Sequence, residues 1–131
     1  MKQRFEIPYK PDSVNTHWRR GNNVTYLSKK GREFRDSVQQ FIKSQKYKTF
    51  KNKVSVKIQI FFKSKRERDL DNYFKAILDS FNGFLYEDDK FIYELSSSKK
   101  LGCDRDYFII EVEELEEWVL KNTITVKLVK N

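Results

Sequence analysis

The acidic residues at the centre of the chain fall into two clusters, Asp69-Leu70-Asp71 and Glu87-Asp88-Asp89, with Lys75 and Asp79 between them. The intervening stretch reads as a helix over about 70–82. Leu70, Phe74, Ile77, Leu78 and Phe81 recur at i, i+4, i+7, i+8 and i+11 and form an apolar stripe. At about 100° per residue, Asp71, Lys75, Asp79 and Asn82 then share one polar face. Asp69 falls before the first turn, at the N-cap, and Asn82-Gly83 ends the helix. One reading of Asp69 and Asp71 is capping, since carboxylates near a helix N-terminus satisfy free N–H groups and oppose the helix dipole, worth about 1 kcal/mol. The other is a metal site. Several carboxylates brought together repel unless a cation neutralises them, and all-oxygen ligands suit Mg²⁺ or Mn²⁺. Three features favour the second reading. The carboxylates follow directly on Lys65, Arg66 and Arg68, Lys75 sits one turn after Asp71, and the second cluster lies where the chain leaves the helix and can turn back. A metal beside a basic strip suits phosphodiester hydrolysis: it lowers the pKa of a bound water and offsets the charge that builds on phosphorus. A nearby lysine can hold the scissile phosphate or the leaving oxygen. Asp-x-Asp on its own discriminates little.

Other chemistries are poorly served. The segment beginning at Asp69 lacks the glycine at position six and the glutamate at position twelve of an EF-hand loop. A single histidine, His17, excludes a His-based zinc site and argues against a Ser-His-Asp triad. Neither a Walker A nor a GxGxxG motif is present. Cys103 is the one cysteine and lies in a polar turn, so no internal disulfide forms and a reducing, cytoplasmic setting is expected. No apolar run approaches a membrane span, and the opening residues lack the apolar core of a secretory signal.

The 131 residues amount to one domain, and 11 Phe, 7 Tyr and 2 Trp supply a real core. Charge is unevenly divided. Residues 1–68 carry 19 basic and 5 acidic side chains, and residues 69–131 carry 8 and 14, within an overall +8. A basic half suggests a polyanion, with nucleic acid the first candidate.

The elements that must position these groups follow from periodicity. Residues 3–9 alternate, with Phe5, Ile7 and Tyr9 against Arg4 and Glu6, and predict a strand stopped by Pro11. Residues 10–23 read as a polar loop. Ser28 caps a helix over about 29–45 whose stripe is Phe34, Val38, Phe41 and Ile42. Residues 54–62 predict the clearest strand, followed by a cationic loop over 63–68. Residues 91–97 and 107–113 predict two strands about a Lys100–Asp106 turn. A short acidic helix over 115–121 and a strand over 123–129 are expected in the tail. The fold class is α+β, a mixed β-sheet with two main helices packed on one face.

The stretch Arg68-Asp69-Leu70-Asp71-Asn72-x-x-Lys75-Ala76-x-x-Asp79-x-x-Asn82-Gly83, continued by Asp88-Asp89, resembles the RusA family of Holliday-junction resolvases, many of them phage- or prophage-encoded. The N-terminal run Ser13-x-Asn15-x-x-Trp18-Arg19, followed by Ser28-x-x-Gly31-x-x-Phe34-Arg35, is similar to that family's opening. The likeness covers residues 1 to about 113. It implies a single RusA-like endonuclease domain over 1–131, with 114–131 an extension. It further implies a homodimer that makes paired, symmetric nicks in a four-way DNA junction with Mg²⁺, or Mn²⁺ in its place. Asp69, Asp71 and Asp89 are implied as essential metal-binding carboxylates, with Asp88 a neighbour that can contribute, and Lys75 as the important lysine. Asn15, Trp18, Arg19 and Asn72 match further motif positions. Arg19, Arg20, Lys63, Lys65, Arg66 and Arg68, with Lys57, are the expected backbone-phosphate contacts. Trp18, Phe61 or Phe62 could stack at the crossover, although aromatics are more often core. The alternative is a non-catalytic or structure-specific binding module for branched DNA. In the resemblance, His17 stands where a tyrosine is common, and the helix-to-Asp-Asp segment is about one residue shorter than in some relatives.

Overall fold

Alternation along β4 (Val54–Phe61) decides where the core lies. Val54, Val56, Ile58 and Ile60 are fully buried, while Lys57 is exposed on the other side of the strand. In the computed structural model, which describes residues 1–13, 18–21 and 24–115 (18–21 and 24–26 by backbone alone), this strand is central to a four-stranded sheet. The order is β1 (Lys2–Ile7), β6 (Tyr107–Glu114), β4, β5 (Ile92–Lys100). β6 runs antiparallel to both β1 and β4, and β5 runs parallel to β4. The sheet is therefore mixed, as expected.

Register places Ile7, Phe108 and Ile60 in one row, and Phe5, Ile110 and Ile58 in the next. These side chains face the helices. α1 (Lys29–Lys43) turns Phe34, Val38 and Ile42 onto them, and α2 (Phe74–Ser80) adds Ala76 and Ile77. The period of 3.6 residues in each helix meets the period of two in the strands, and one continuous core results. The other face of the sheet carries charged pairs, Lys2 with Glu113 at 3.7 Å and Arg4 with Glu111 at 3.7 Å across β1 and β6, beside a stacked Phe61–Tyr107 pair. Lys57 lies on that face, opposite Glu111, and so does not join the other expected phosphate contacts.

Ser28 caps α1 as the sequence indicates, its Oγ accepting from the Gly31 N–H at 2.9 Å. Three expectations are corrected. Part of the expected polar loop over 10–23, together with the residues that follow it, forms a two-stranded antiparallel hairpin, β2 (Trp18–Gly21) with β3 (Val24–Leu27), in which Trp18 is opposite Leu27 and Gly21 opposite Val24. Alternation in so short a polar pair is too weak to announce itself. The central helix does not run uniformly from 70 to 82. It opens as a 3₁₀ segment, Leu70–Tyr73, becomes α-helical only at Phe74, and ends at Ser80. β5 extends to Lys100, three residues beyond the expected end at 97, because pairing with the long β4 continues through Lys99 and Lys100. The expected helix over 115–121 and strand over 123–129 lie outside the described residues, apart from Leu115, which is buried.

Candidate active site

The turn that ends α2 brings the second acidic cluster back onto the helix. Gly83 takes φ +80°, a left-handed conformation open to glycine without strain, and its N–H donates to the Tyr86 carbonyl at 2.8 Å. Tyr86 is fully buried and its hydroxyl donates to the Leu78 carbonyl at 2.6 Å, tying the returning chain to the helix. Phe50 stitches the same segment from outside, accepting from the Glu87 N–H at 2.9 Å while its own N–H donates to Leu85. The result brings Asp89, with Asp88 next to it, within range of the Asp79 charge.

Charge at this point is concentrated. Lys75 Nζ lies 3.4 Å from Asp79 Oδ2, one helical turn on. The Asp89 carboxyl is held above its ordinary range, first by partial loss of solvent, then by its hydrogen bond with Asp88 and by the charges of Asp79 and Asp88. Lys75 acts in the opposite sense. Asp88 is lowered, chiefly because its Oδ1 accepts from the Lys90 N–H at 3.0 Å, and then by its hydrogen bond with Asp89. Burial raises the Tyr86 hydroxyl well above its usual value, and Asp89 and Asp79 push it further. Asp79 thus belongs with the candidate residues, although in the sequence it has only a place on the polar face of the helix and in the motif, with no role. Its membership was legible in the i, i+4 spacing from Lys75.

Asp69 and Asp71 sit at the other end. Asp69 occupies the N-cap position of the 3₁₀ segment but makes no side-chain capping bond, which removes the capping account for it. Its carbonyl accepts from the Asn72 N–H at 3.2 Å, and its exposed carboxylate borders a cavity of about 330 Å³. Ser13, Arg66, Glu67, Arg68, Asn72, Tyr73 and Lys99 share that border, so three cations face two carboxylates there. Asp71 is exposed. A 3₁₀ turn advances about 120° per residue and not 100°, so the opening of the helix rotates Asp71 away from the face expected for it relative to Lys75 and Asp79.

The cationic loop beside Asp69 is anchored, although it has no regular structure. The Lys63 N–H donates to Asp106 Oδ1 at 2.8 Å, the Gly102 N–H to the Ser64 carbonyl at 3.2 Å, and the Arg66 N–H to Ser64 Oγ at 3.1 Å. The Arg68 guanidinium lies over the Phe62 ring at 4.6 Å. That contact, and the 5.1 Å packing of Phe62 on Tyr73, assigns Phe62 to the core and not to a stacking role. Phe61 is on the opposite face, stacked on Tyr107 at 4.5 Å. Lys99, which lies beyond the expected strand end at 97, donates from Nζ to the Arg68 carbonyl and to Glu67 at 3.2 Å. Lys63 and Lys65 are exposed in the loop. Trp18, Arg19 and Arg20 lie on β2, where only backbone is described, and Asn15 lies outside the described residues.

The donors present are carboxylate oxygens, the ligand type that hard divalent cations take. The geometry is not closed: among the described residues no three His, Cys, Asp or Glu side chains converge closely enough to hold a metal ion. Asp69 and Asp71 are not among the charges acting on Asp89. What the arrangement does provide is an anionic cluster at one end of α2 and a cation-rich cavity at the other, joined by a helix of two turns.

The family model described as Endodeoxyribonuclease RusA matches residues 8–113, which span both carboxylate clusters, Lys75 and the cationic loop. The crossover junction endodeoxyribonuclease RusA of Enterobacteria phage HK97 is 41% identical over 90 residues, covering 66% of this chain and 74% of the phage protein. The chain therefore belongs to the RusA endodeoxyribonuclease family.

Proposed function

We propose that the protein is a structure-specific endodeoxyribonuclease that resolves four-way DNA junctions by paired, symmetric nicks, acting as a homodimer with Mg²⁺. The observation that carries this reading is the joining, through α2, of the Lys75–Asp79–Asp88–Asp89 cluster to the cavity bordered by Asp69, Arg66 and Arg68. Family membership and the similarity to a phage crossover junction endodeoxyribonuclease support it. Dimerisation fits the task, because a two-fold symmetric junction offers two equivalent scissile phosphates.

RusA-type nucleases are metal-dependent in general. Asp69, Asp71 and Asp89, with Asp88 beside the last, are the residues proposed to hold the cation, which when bound supplies a more acidic water and offsets charge on phosphorus. The chain's own groups have separate tasks. Arg66 and Arg68 take backbone phosphates, which positions the strand without reading its sequence. Lys75, balanced against Asp79, offers an ammonium to the scissile phosphate or the leaving oxygen. Asn72, beside Asp69 on the cavity wall, offers an amide to the same strand. Arg19, Arg20, Lys63 and Lys65 are proposed as further backbone-phosphate contacts, with Asn15 and Trp18 as further DNA-contacting residues.

A second reading, a module that binds branched DNA without cutting it, is favoured by the open spacing of the carboxylates among the described residues. One assay separates the two. An end-labelled synthetic four-way junction and a matching linear duplex are incubated with the protein in Mg²⁺ and in EDTA. Paired nicks in the junction alone, and only with Mg²⁺, are expected. Binding without cutting in any divalent metal gives the second reading, and equal cutting of both substrates removes the junction as the specific target.

A further inference from the structure

A second cavity, of about 220 Å³, adjoins the one at Asp69 and shares its Arg66, Arg68 and Tyr73 wall. Its far side is built by different elements: Lys10 from the segment after β1, and Lys30 from the first turn of α1. Neither lysine belongs to the residues assigned above. Four cationic side chains therefore converge on one concavity from three separate parts of the chain.

Among the described residues, none of Lys10, Lys30, Arg66 and Arg68 has a carboxylate within ion-pair distance, although the surface elsewhere pairs its charges freely, as at Lys2–Glu113, Arg4–Glu111 and Lys75–Asp79. Arg68 is the most constrained. Its guanidinium lies over the Phe62 ring, and its Nε is buried without a hydrogen-bond partner. The terminal amino groups are left as its donors, held in a fixed plane of the kind that grips a phosphate through two oxygens. The first turn of α1 carries no acidic residue, so the positive end of a 15-residue helix adds to the same field. Asp12 is the one acidic residue on the border; it is 4% exposed and already bonded to other groups. Like charges held together without counterions repel, and a bound anion relieves that repulsion.

We infer that this cavity is a subsite for one non-scissile backbone phosphate of the DNA strand, with Lys10 and Lys30 as its specific contacts and Arg68 shared with the cutting site. The inference rests on the nuclease reading above and adds to it the path of the strand: from Asp69, over Arg68, to the N-terminus of α1. A phosphodiester is the anion assigned because the two cavities are contiguous, and consecutive phosphates of one strand are what two neighbouring cationic hollows can take together.

The test is phosphate neutralisation in the junction strand. Each phosphate within three nucleotides of the cut is replaced, one at a time, by an uncharged methylphosphonate, and cleavage in Mg²⁺ is timed for the full-length wild type. One position away from the cut is expected to slow cleavage by about tenfold, a loss of the size expected for a charge-assisted phosphate contact. The Lys10→Gln/Lys30→Gln variant is expected to cut the unmodified junction more slowly, to lose about one from its salt slope, the share of a single phosphate, and to be indifferent to the methylphosphonate at that position. Lys46→Gln, just past the opposite end of α1, is expected to keep the wild-type pattern. If the double variant retains the same sensitive position, or the wild type shows none, the subsite is wrong while the nuclease reading stands. If the wild type neither binds nor cuts the junction, both fall. Circular dichroism and melting temperature, expected to be unchanged for substitutions at two exposed lysines, exclude misfolding as the cause of a loss.

Discussion

Lys75 Nζ stands 3.4 Å from Asp79 Oδ2, and Asp79 in turn acts on the Asp89 carboxyl, so the lysine is joined to the acidic cluster through a carboxylate of its own helix. Lys75→Ala is expected to cut junctions far more slowly yet to remain folded. The pair is of the exposed i, i+4 kind, the lysine side chain being 60% exposed, and its loss costs about 0.5 kcal/mol or less. The same substitution removes the one group that lowers Asp89, so the Asp89 carboxyl should titrate at higher pH in the variant than in the wild type. Carboxyl-carbon NMR of the metal-free protein reads this directly, and an unmoved Asp89 resonance would separate Lys75 from the cluster.

Asp89 carries a pH dependence of its own. Its folded-state pKa is raised above the ordinary aspartate value, so between those two values the folded protein holds more of a proton than the unfolded chain does. Stability contributed by this group therefore falls as pH rises through that window, and above it the ionised Asp89 is a net cost to the metal-free fold. Asp89→Asn should accordingly raise the melting temperature at pH 7, and raise it less at pH 4, where the wild-type carboxyl is already partly protonated. The variant should not cut. A fall in melting temperature at pH 7 would mean that Asp89 is held by partners that outweigh its repulsion.

Asp71→Asn tests the other cluster. Asp71 is exposed in the 3₁₀ opening, so the substitution should leave the fold unchanged. Cleavage should be lost while junction binding stays equal or tightens, since one negative charge near the phosphates is removed. Gel-shift and cleavage assays on the same preparation decide it: wild-type cutting by Asp71→Asn would take this residue out of the site.

How far the sequence announces these relationships depends on whether a period or a distance carries them. The strand over 54–62 and the helix starting after Ser28 are plain in the chain because alternation and a capping serine are local signals, and both stand within a residue or two of expectation. The parallel pairing of β5 with β4 and the central place of β4 come from long-range register, which no local pattern encodes. At the site, Asp69, Asp71, Lys75, Asp88 and Asp89 are visible as a spacing. The 3₁₀ start that turns Asp71 aside, and the Gly83–Tyr86 turn that sets Asp89 against Asp79, are products of packing. A uniform 100° rotation therefore unites four polar residues on one face, whereas the structure couples Lys75 to Asp79 and leaves Asp71 out of the cluster around Asp89.

Lys99 and Lys100 show how packing separates neighbours that look alike in sequence. Lys99 is level with Ile60 on the helix side of the sheet and reaches the Arg68 carbonyl and Glu67, whereas Lys100 is level with Phe61 on the opposite face. A single ammonium thus ties the last residue of the cationic loop to the sheet edge, immediately before Asp69. Lys99→Met keeps the aliphatic stem and removes those donors. It should cost about 1 kcal/mol, the usual net worth of a hydrogen bond, and should speed amide exchange over residues 65–69 ahead of the rest of the domain. Junction cleavage should slow with it, because the segment carrying Arg68 and Asp69 loses its anchor to the sheet edge. Lys100→Met should leave exchange in the loop and cleavage as they are. Equal effects from the two variants would assign both lysines to general charge and remove Lys99 from the positioning of the site.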